Sequence, residues 1–535
     1  LKGKEGFSVA VRILGLTRRF PMRAEGFYRK RRFAAAVLIT GFLFVFLLGC
    51  SKTASPPVTN NPDPKTAAEE VKPLKLTPWT GKSGSDWASF DKLVQEQKYE
   101  EASKIVEAKL KEAQTAGDSE EWVRCLIRYV QLRTALHGYE TALRFLKEQP
   151  WPDDLLSQTV LNLYYGSALV TYAQVYSWEI NQREKVESRG VVDLKAWTME
   201  QIYAEALGAY LSVWKHRAEL GEQPVTILQE YITPNNYPQE VRSTLRDAVS
   251  YFLVDLLSDS TGWRPEQSNE IFRLNLKALL GAMPAVSLAD PAVHPLQKIA
   301  AVLDDLERWH QGRGELEAAL EARLTRLRRL HDHFTDPGDR ALIRKDLADR
   351  LPAYREKPWW SEGMAVLAEF TQEEDAPDNL VRARKIALEG KEAYPSSIGG
   401  RRCDAIIAAI EAPQYNLEGM SCDGAGKRST GVRFKNLPEL FFRAYPVDLK
   451  AQIETADDYN LLPGYDELRK LLQGATPTHE WRVELPATPD YKMHRLFVTP
   501  PMEKPGLYAV ISSARVGFGP SDNVMMALDM VIGDL

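Results

Sequence analysis

A chain of 535 residues is long enough for two to four domains, and its 44% hydrophobic and 26% charged residues are ordinary globular values. The formal net charge of −5 is spread along the chain rather than blocked, which gives no electrostatic case for a nucleic-acid partner.

The first element is a secretory signal. Arg29, Lys30, Arg31 and Arg32 precede Phe33 to Gly49, a run of seventeen residues without a charge. A basic stretch, an apolar stretch and a small residue before a cut site describe a signal peptide. A transmembrane helix is the competing reading, but seventeen residues is at the short limit for spanning. Leu47-Leu48-Gly49-Cys50 closes the run and resembles the bacterial lipobox, which makes Cys50 the acylated first residue of the mature protein. Each buried CH₂ contributes about 0.8 kcal/mol, so several acyl chains hold where one would not. Residues 1–49 are therefore read as a signal peptide plus upstream residues. Met22 lies just ahead of the basic cluster, so 1–21 are expected to precede the translated protein. Ser51, in place of the Asp that retains lipoproteins at the inner membrane, favours the outer membrane. The expected address is the bacterial envelope, facing the periplasm.

Residues 50–78 are rich in Pro, Thr, Asn and Lys and carry few large apolar side chains, which predicts a disordered tether. From 79 to 412 the pattern is helix after helix. Leu93, Val94, Ala102, Ile105, Val106 and Leu110 recur at three- and four-residue steps, the spacing of one apolar helical face. Turn residues punctuate at 116–119, 149–152, 233–236 and 336–339. Lys98-Tyr99-Glu100-Glu101-Ala102 and Gly138-Tyr139-Glu140-Thr141-Ala142 resemble tetratricopeptide helices, forty residues apart against a usual period of about thirty-four. A repeat helix pair buries its apolar face by stacking on neighbours, so a helical-repeat superhelix is expected, with a compact bundle as its competitor.

After 412 the grammar changes. Runs at 415–420, 432–434, 441–447, 481–485, 495–498, 506–515 and 523–532 are short, rich in β-formers and bounded by Pro, Gly, Asp and Asn. Seven strands over 413–535, interrupted by one helical insert at 457–472, predict an antiparallel β-sandwich. Helices then strands, without βα alternation, predict separate α and β domains rather than an α/β fold.

The order of parts resembles large bacterial α2-macroglobulin-family lipoproteins. Tyr394-Pro395-Ser396-Ser397-Ile398-Gly399-Gly400-Arg401-Arg402-Cys403 looks like the end of their helical region. Phe434-Lys435-Asn436-Leu437-Pro438-Glu439-Leu440-Phe441-Phe442-Arg443 resembles an early strand of their first macroglobulin-like domain, and 504–535 resembles its closing strands. The resemblance implies the non-catalytic, membrane-anchored N-terminal region of a periplasmic protease inhibitor, with proteases as targets of the full-length protein. Two departures stand against it. No Cys here is followed two residues on by Glu-Gln, so the family's thioester is missing, and no bait region is present. The alternative is a standalone tetratricopeptide-like envelope lipoprotein that acts as a protein-binding scaffold.

The remaining chemistry is sparse. With Cys50 assigned to lipid, Cys125, Cys403 and Cys422 remain. Cys403 and Cys422 are nineteen residues apart, and a disulfide between them closes a loop worth about 3 kcal/mol in the chain-entropy model; two unpaired thiols are the alternative. Cys125, among Trp122, Leu126 and Ile127, reads as a buried inert thiol. His331 and His333 point to different faces of a helix, so no metal is expected there. Arg323, Arg326, Arg328 and Arg329 alternate with leucines, which predicts a helix with a solvated basic face. Trp359-Trp360 and Tyr164-Tyr165 read as packing between helices. No phosphate-binding loop, dinucleotide fingerprint, nucleophile elbow or zinc-protease motif occurs, so no enzyme activity and no cofactor is expected. Envelope protein partners, if bound, are expected on the concave surface of the helical region.

Overall fold

The computed structural model describes residues 74–80, 86–184, 186, 192–233, 235–419, 429–455, 464–519 and 523–532. Helices run from Ala88 to Glu411, and antiparallel strands follow from Gln414, with two helices among them. The architecture is α then β. These residues form two compact units, one running to Asn235 and including Thr244–Leu253, the other made of Asn236–Ser243 and Val254 onward.

The first unit contains α1 (Ala88–Gln95), α2 (Tyr99–Ala116), α3 (Ser119–His137), α4 (Tyr139–Glu148), α5 (Leu155–Val175) and α6 (Met199–Trp214), together with shorter helical turns. The two Tyr-Glu motifs open α2 and α4. Asp118, Asp154 and Thr198 cap α3, α5 and α6 by accepting a backbone N–H three residues on, which satisfies donors that the helix leaves free. Helix α5 is buried on most sides, with Leu156, Leu161, Tyr165 and Leu169 all fully buried, so it forms the centre of the unit.

Two acidic residues in the first turn of α3 organise the entry of the chain. Glu120 accepts hydrogen bonds from the Thr80 backbone at 2.8 Å and from Arg124 at 3.2 Å. Glu121 accepts from the Trp87 indole at 2.9 Å and also pairs with Arg124. Arg124 is 2% exposed and donates from Nε to both oxygens of Glu230 at 3.0 Å. Burial alone would lower the Arg124 pKa, but Glu230 and Glu121 carry it above its ordinary value. One residue near the end of the expected tether, and Trp79 just beyond it, meet the helices. The Lys75 carbonyl accepts from Leu155 N at 2.8 Å, and Trp79 is buried edge-on to Tyr231.

Helix α7 (Leu245–Ser258) carries the boundary between the units. The second unit continues with α8 (Pro295–Arg313), α9 (Leu316–His333), α10 (Pro337–Arg350), α11 (Trp360–Gln372), α12 (Asn379–Ala393) and α13 (Ile398–Glu411). Helices α8 and α9 pack together, as do α11, α12 and α13. Trp359 and Trp360 are buried among them, as are Tyr164 and Tyr165 in the first unit.

Helix α9 corrects one expectation. Two of its four arginines are not solvated: Arg323 and Arg326 are 4% and 0% exposed, whereas Arg328 and Arg329 are part-exposed and pair with Glu362 and Asp255. Arg323 donates to the Leu280 carbonyl and Glu307, and Arg326 to the carbonyls of Leu279 and Gly281 and to Asp304. They satisfy the carbonyls that end the short Leu276–Leu280 helix, so one face of α9 is covered by that helix and α8 rather than by water.

Among the described residues seven strands follow: β1 (Gln414–Gly419), β2 (Thr430–Lys435), β3 (Glu439–Val447), β4 (His479–Glu484), β5 (His494–Val498), β6 (Gly506–Ser513) and β7 (Met525–Ile532). They form two antiparallel sheets, β1-β2-β5 and β4-β3-β6-β7. Alternation on β3 divides its side chains between two cores. Leu440, Phe442 and Ala444 meet Val432 and Phe434 of the other sheet, whereas Phe441 and Tyr445 lie with Leu468, Leu471 and Leu472. Those leucines belong to α15 (Tyr465–Gly474), which falls in the second half of the expected insert at 457–472, whereas α14 (Leu449–Thr455) lies ahead of that insert. Between the sheets, the Ser512 hydroxyl donates to Tyr415 Oη at 3.0 Å.

Candidate functional site

The lipobox residues Leu47, Leu48, Gly49 and Cys50 lie outside the described residues, as does Cys422. Cys403 lies within them. It is fully buried on α13, its Sγ donates to the Ser361 carbonyl at 3.4 Å, and burial pushes its thiol pKa up to about 12. The local sequence explains the burial. Ser397 caps α13, accepting from Gly400 N at 2.9 Å and meeting the Ser361 hydroxyl at 2.8 Å. At Gly399 a Cβ would stand 2.1 Å from the Glu362 backbone nitrogen, so only glycine permits this approach of α13 to α11. Arg402 then reaches Glu369 with both Nε and Nη2, at 2.9 and 2.7 Å, and pairs with Glu362. The Tyr394–Cys403 motif is a helix-packing device.

Glu362 and Glu321 anchor a buried charge network. Glu321 is 0% exposed and accepts from Arg242 at 2.5 Å and from the Trp359 indole at 3.1 Å. Burial would raise its pKa, yet Arg242 and Arg328 hold it below the ordinary carboxylate range. Burial does raise Glu362, against the pull of Arg328 and Arg402. Every charge in this pair of clusters meets an opposite charge, as a structural network requires. His331 stacks on Phe370 and His333 on Trp263. Among the described residues no group of three or more His, Cys, Asp or Glu could hold a metal ion, and no helix is long and apolar enough to cross a membrane.

The first unit holds a cavity of about 370 Å³. Lys147 comes from the last turn of α4, Trp151 from the following loop, Gln158 and Asn162 from successive turns of α5, and Lys215 and His216 from just beyond α6. Local hydrogen bonds set these side chains. The Trp151 indole donates to the Leu146 carbonyl at 2.8 Å, Gln158 Nε2 to Pro152 O at 2.7 Å, and Asn162 Nδ2 to Gln158 O at 2.8 Å. His216 is 3% exposed, its Nδ1 makes no hydrogen bond, and the nearest carboxylate oxygen, on Glu219, is 3.8 Å away. Burial lowers the His216 pKa, with Glu219 opposing, so the ring is neutral at pH 7. No carboxylate lines the cavity. Sequence reasoning missed this group because its members are spread from Leu74 to His216 with no common spacing.

No protein-family model, no curated protein and no solved structure matches this chain.

Proposed function

We propose that this chain is the membrane-anchored N-terminal region of a periplasmic α2-macroglobulin-like protease inhibitor. In this reading the helices are tetratricopeptide-like repeats and the strands a macroglobulin-like β-sandwich. Lipid at Cys50 tethers the chain, in the outer membrane by preference, and the helical region spaces or docks the body. The chain itself is non-catalytic, and trapping belongs to the full-length protein with its protease targets. The observation that carries the reading is the C-terminal region, where seven strands in two antiparallel sheets share one core and follow directly on the helices. The junction supports it too: Lys435 at the end of β2 donates from Nζ to the Ala409 and Ile410 carbonyls, at 3.3 and 3.2 Å.

Immunoblotting of membrane fractions with antibody to residues 80–400 tests this reading. The expected result is a band several times larger than this chain, lost from the membrane in a Cys50→Ser strain. A membrane-bound band near the mature size of this chain would instead leave the second reading, a standalone envelope scaffold. That reading draws on the cavity of the first unit, a feature that packing alone does not require.

A further inference from the structure

We propose that the cavity of the first unit binds a small organic carboxylate with an apolar body, its carboxylate held between Lys147 and Lys215 and its body laid on Trp151. This inference is independent of the anchor reading.

Three observations carry it. The cavity, at about 370 Å³, is within the range of small-molecule sites. Its lining is cationic: two lysines and no Asp or Glu. Lys215 makes no ion pair with any described residue, whereas Lys147 lies 3.3 Å from Glu205 and over the Tyr165 ring at 4.7 Å. Both lysines stand at helix C-termini, whose free carbonyls favour the lysine cations and oppose an anion, so a ligand carboxylate is held by the lysine charges alone. The third observation is the His216 ring, almost wholly buried in the lining with Nδ1 unbonded. A buried polar atom without a partner is costly, and a polar group of a ligand would recover that cost. Gln158 Oε1 receives only a long 3.4 Å contact from Asn162 and has acceptor capacity left for a ligand N–H. The lining thus supplies cations for a carboxylate, amide oxygen for a donor and an indole face for an apolar group.

Two sources share this chemistry, the free end of a peptide chain and a free small acid. Titration calorimetry on the intact protein separates them with N-acetyl-Phe-Phe and 3-phenylpropionate, using N-acetyl-Phe-Phe amide and inorganic phosphate as controls. The acid is expected to bind at least tenfold more tightly than its amide. Lys215→Gln, at an exposed position, and Lys147→Gln are each expected to weaken the acid about tenfold, and raised salt to weaken it further. Tighter binding of the dipeptide assigns a peptide end, and tighter binding of phenylpropionate a free acid. Equal binding of acid and amide, binding unchanged in both lysine variants, competition by phosphate at equal strength, or no heat at millimolar ligand would each overturn the proposal.

Discussion

Asn436 donates from its side-chain amide to the Ile410 carbonyl at 2.9 Å, and its own backbone N–H donates to Thr488 Oγ1 at 2.8 Å. One residue in the β2–β3 turn thereby closes the last turn of α13 and fixes the loop after β4. It does so at φ 55°, in the left-handed region that Asn tolerates better than most residues.

Asn436→Ala is expected to cost about 2–3 kcal/mol, from lost hydrogen bonds and from a Cβ without local compensation in that region. Asn436→Gly keeps the backbone at ease and should cost about 1 kcal/mol. Urea midpoints of the two variants measure the difference, and equal losses would show that the backbone conformation contributes nothing.

The glycines make an opposed pair. Gly399→Ala places a methyl group against the Glu362 backbone, which cannot move aside as a side-chain tip does, so a loss of about 3 kcal/mol or more is expected. Gly208 lies exposed within α6 with nothing near its absent Cβ. Gly208→Ala should raise stability by about 0.5–1 kcal/mol. Thermal melts read both signs.

Glu321 and Glu362 share Arg328 but predict different behaviour. Replacing Glu321 with Gln removes a carboxylate paired to the buried Arg242 guanidinium and should cost about 3 kcal/mol at neutral pH. Glu362→Gln should cost much less, because one oxygen of that carboxylate is buried without a partner. The pH dependence has opposite signs. Glu321 has a folded pKa below its unfolded value of 4.5, so its contribution is full above that value and is lost as pH falls through the folded pKa. Glu362 has a folded pKa above 4.5, so its contribution is full below that value and is lost as pH rises through the folded pKa. Denaturation from pH 3 to 7 should therefore show reduced acid sensitivity in Glu321→Gln. In Glu362→Gln the decline of stability as pH rises above 4.5 should be smaller than in the native protein.

Cys125 is fully buried in α3, and burial pushes its thiol up to about 12, which leaves almost no thiolate near neutral pH. Iodoacetamide should modify it only after denaturation. Rapid labelling of the native protein at pH 8, read by peptide mass spectrometry, would contradict its placement.

Much of this fold was legible in local pattern. All seven strands fall where alternation bounded by Pro, Gly, Asp and Asn placed them, and Asp336-Pro337 opens α10 as a capping residue followed by proline should. What stayed hidden depends on distant partners. Arg323 and Arg326 read as solvated because the carbonyls they satisfy, at 279–281, are more than forty residues away. Lys75 read as tether because what holds its backbone is the distant chain at Asp154 and Leu155 rather than its own composition. The cavity draws its lining from three helices, the segments that follow two of them and Leu74 ahead of them all, which no spacing rule connects.

The central claim is best tested by challenging the native protein, purified from membranes, with an active protease. If the chain belongs to a protease-trapping inhibitor, a trapped protease is enclosed, so cleavage of a small chromogenic peptide should persist while cleavage of a large protein substrate falls at least tenfold. Equal retention of both activities would contradict the inhibitor reading.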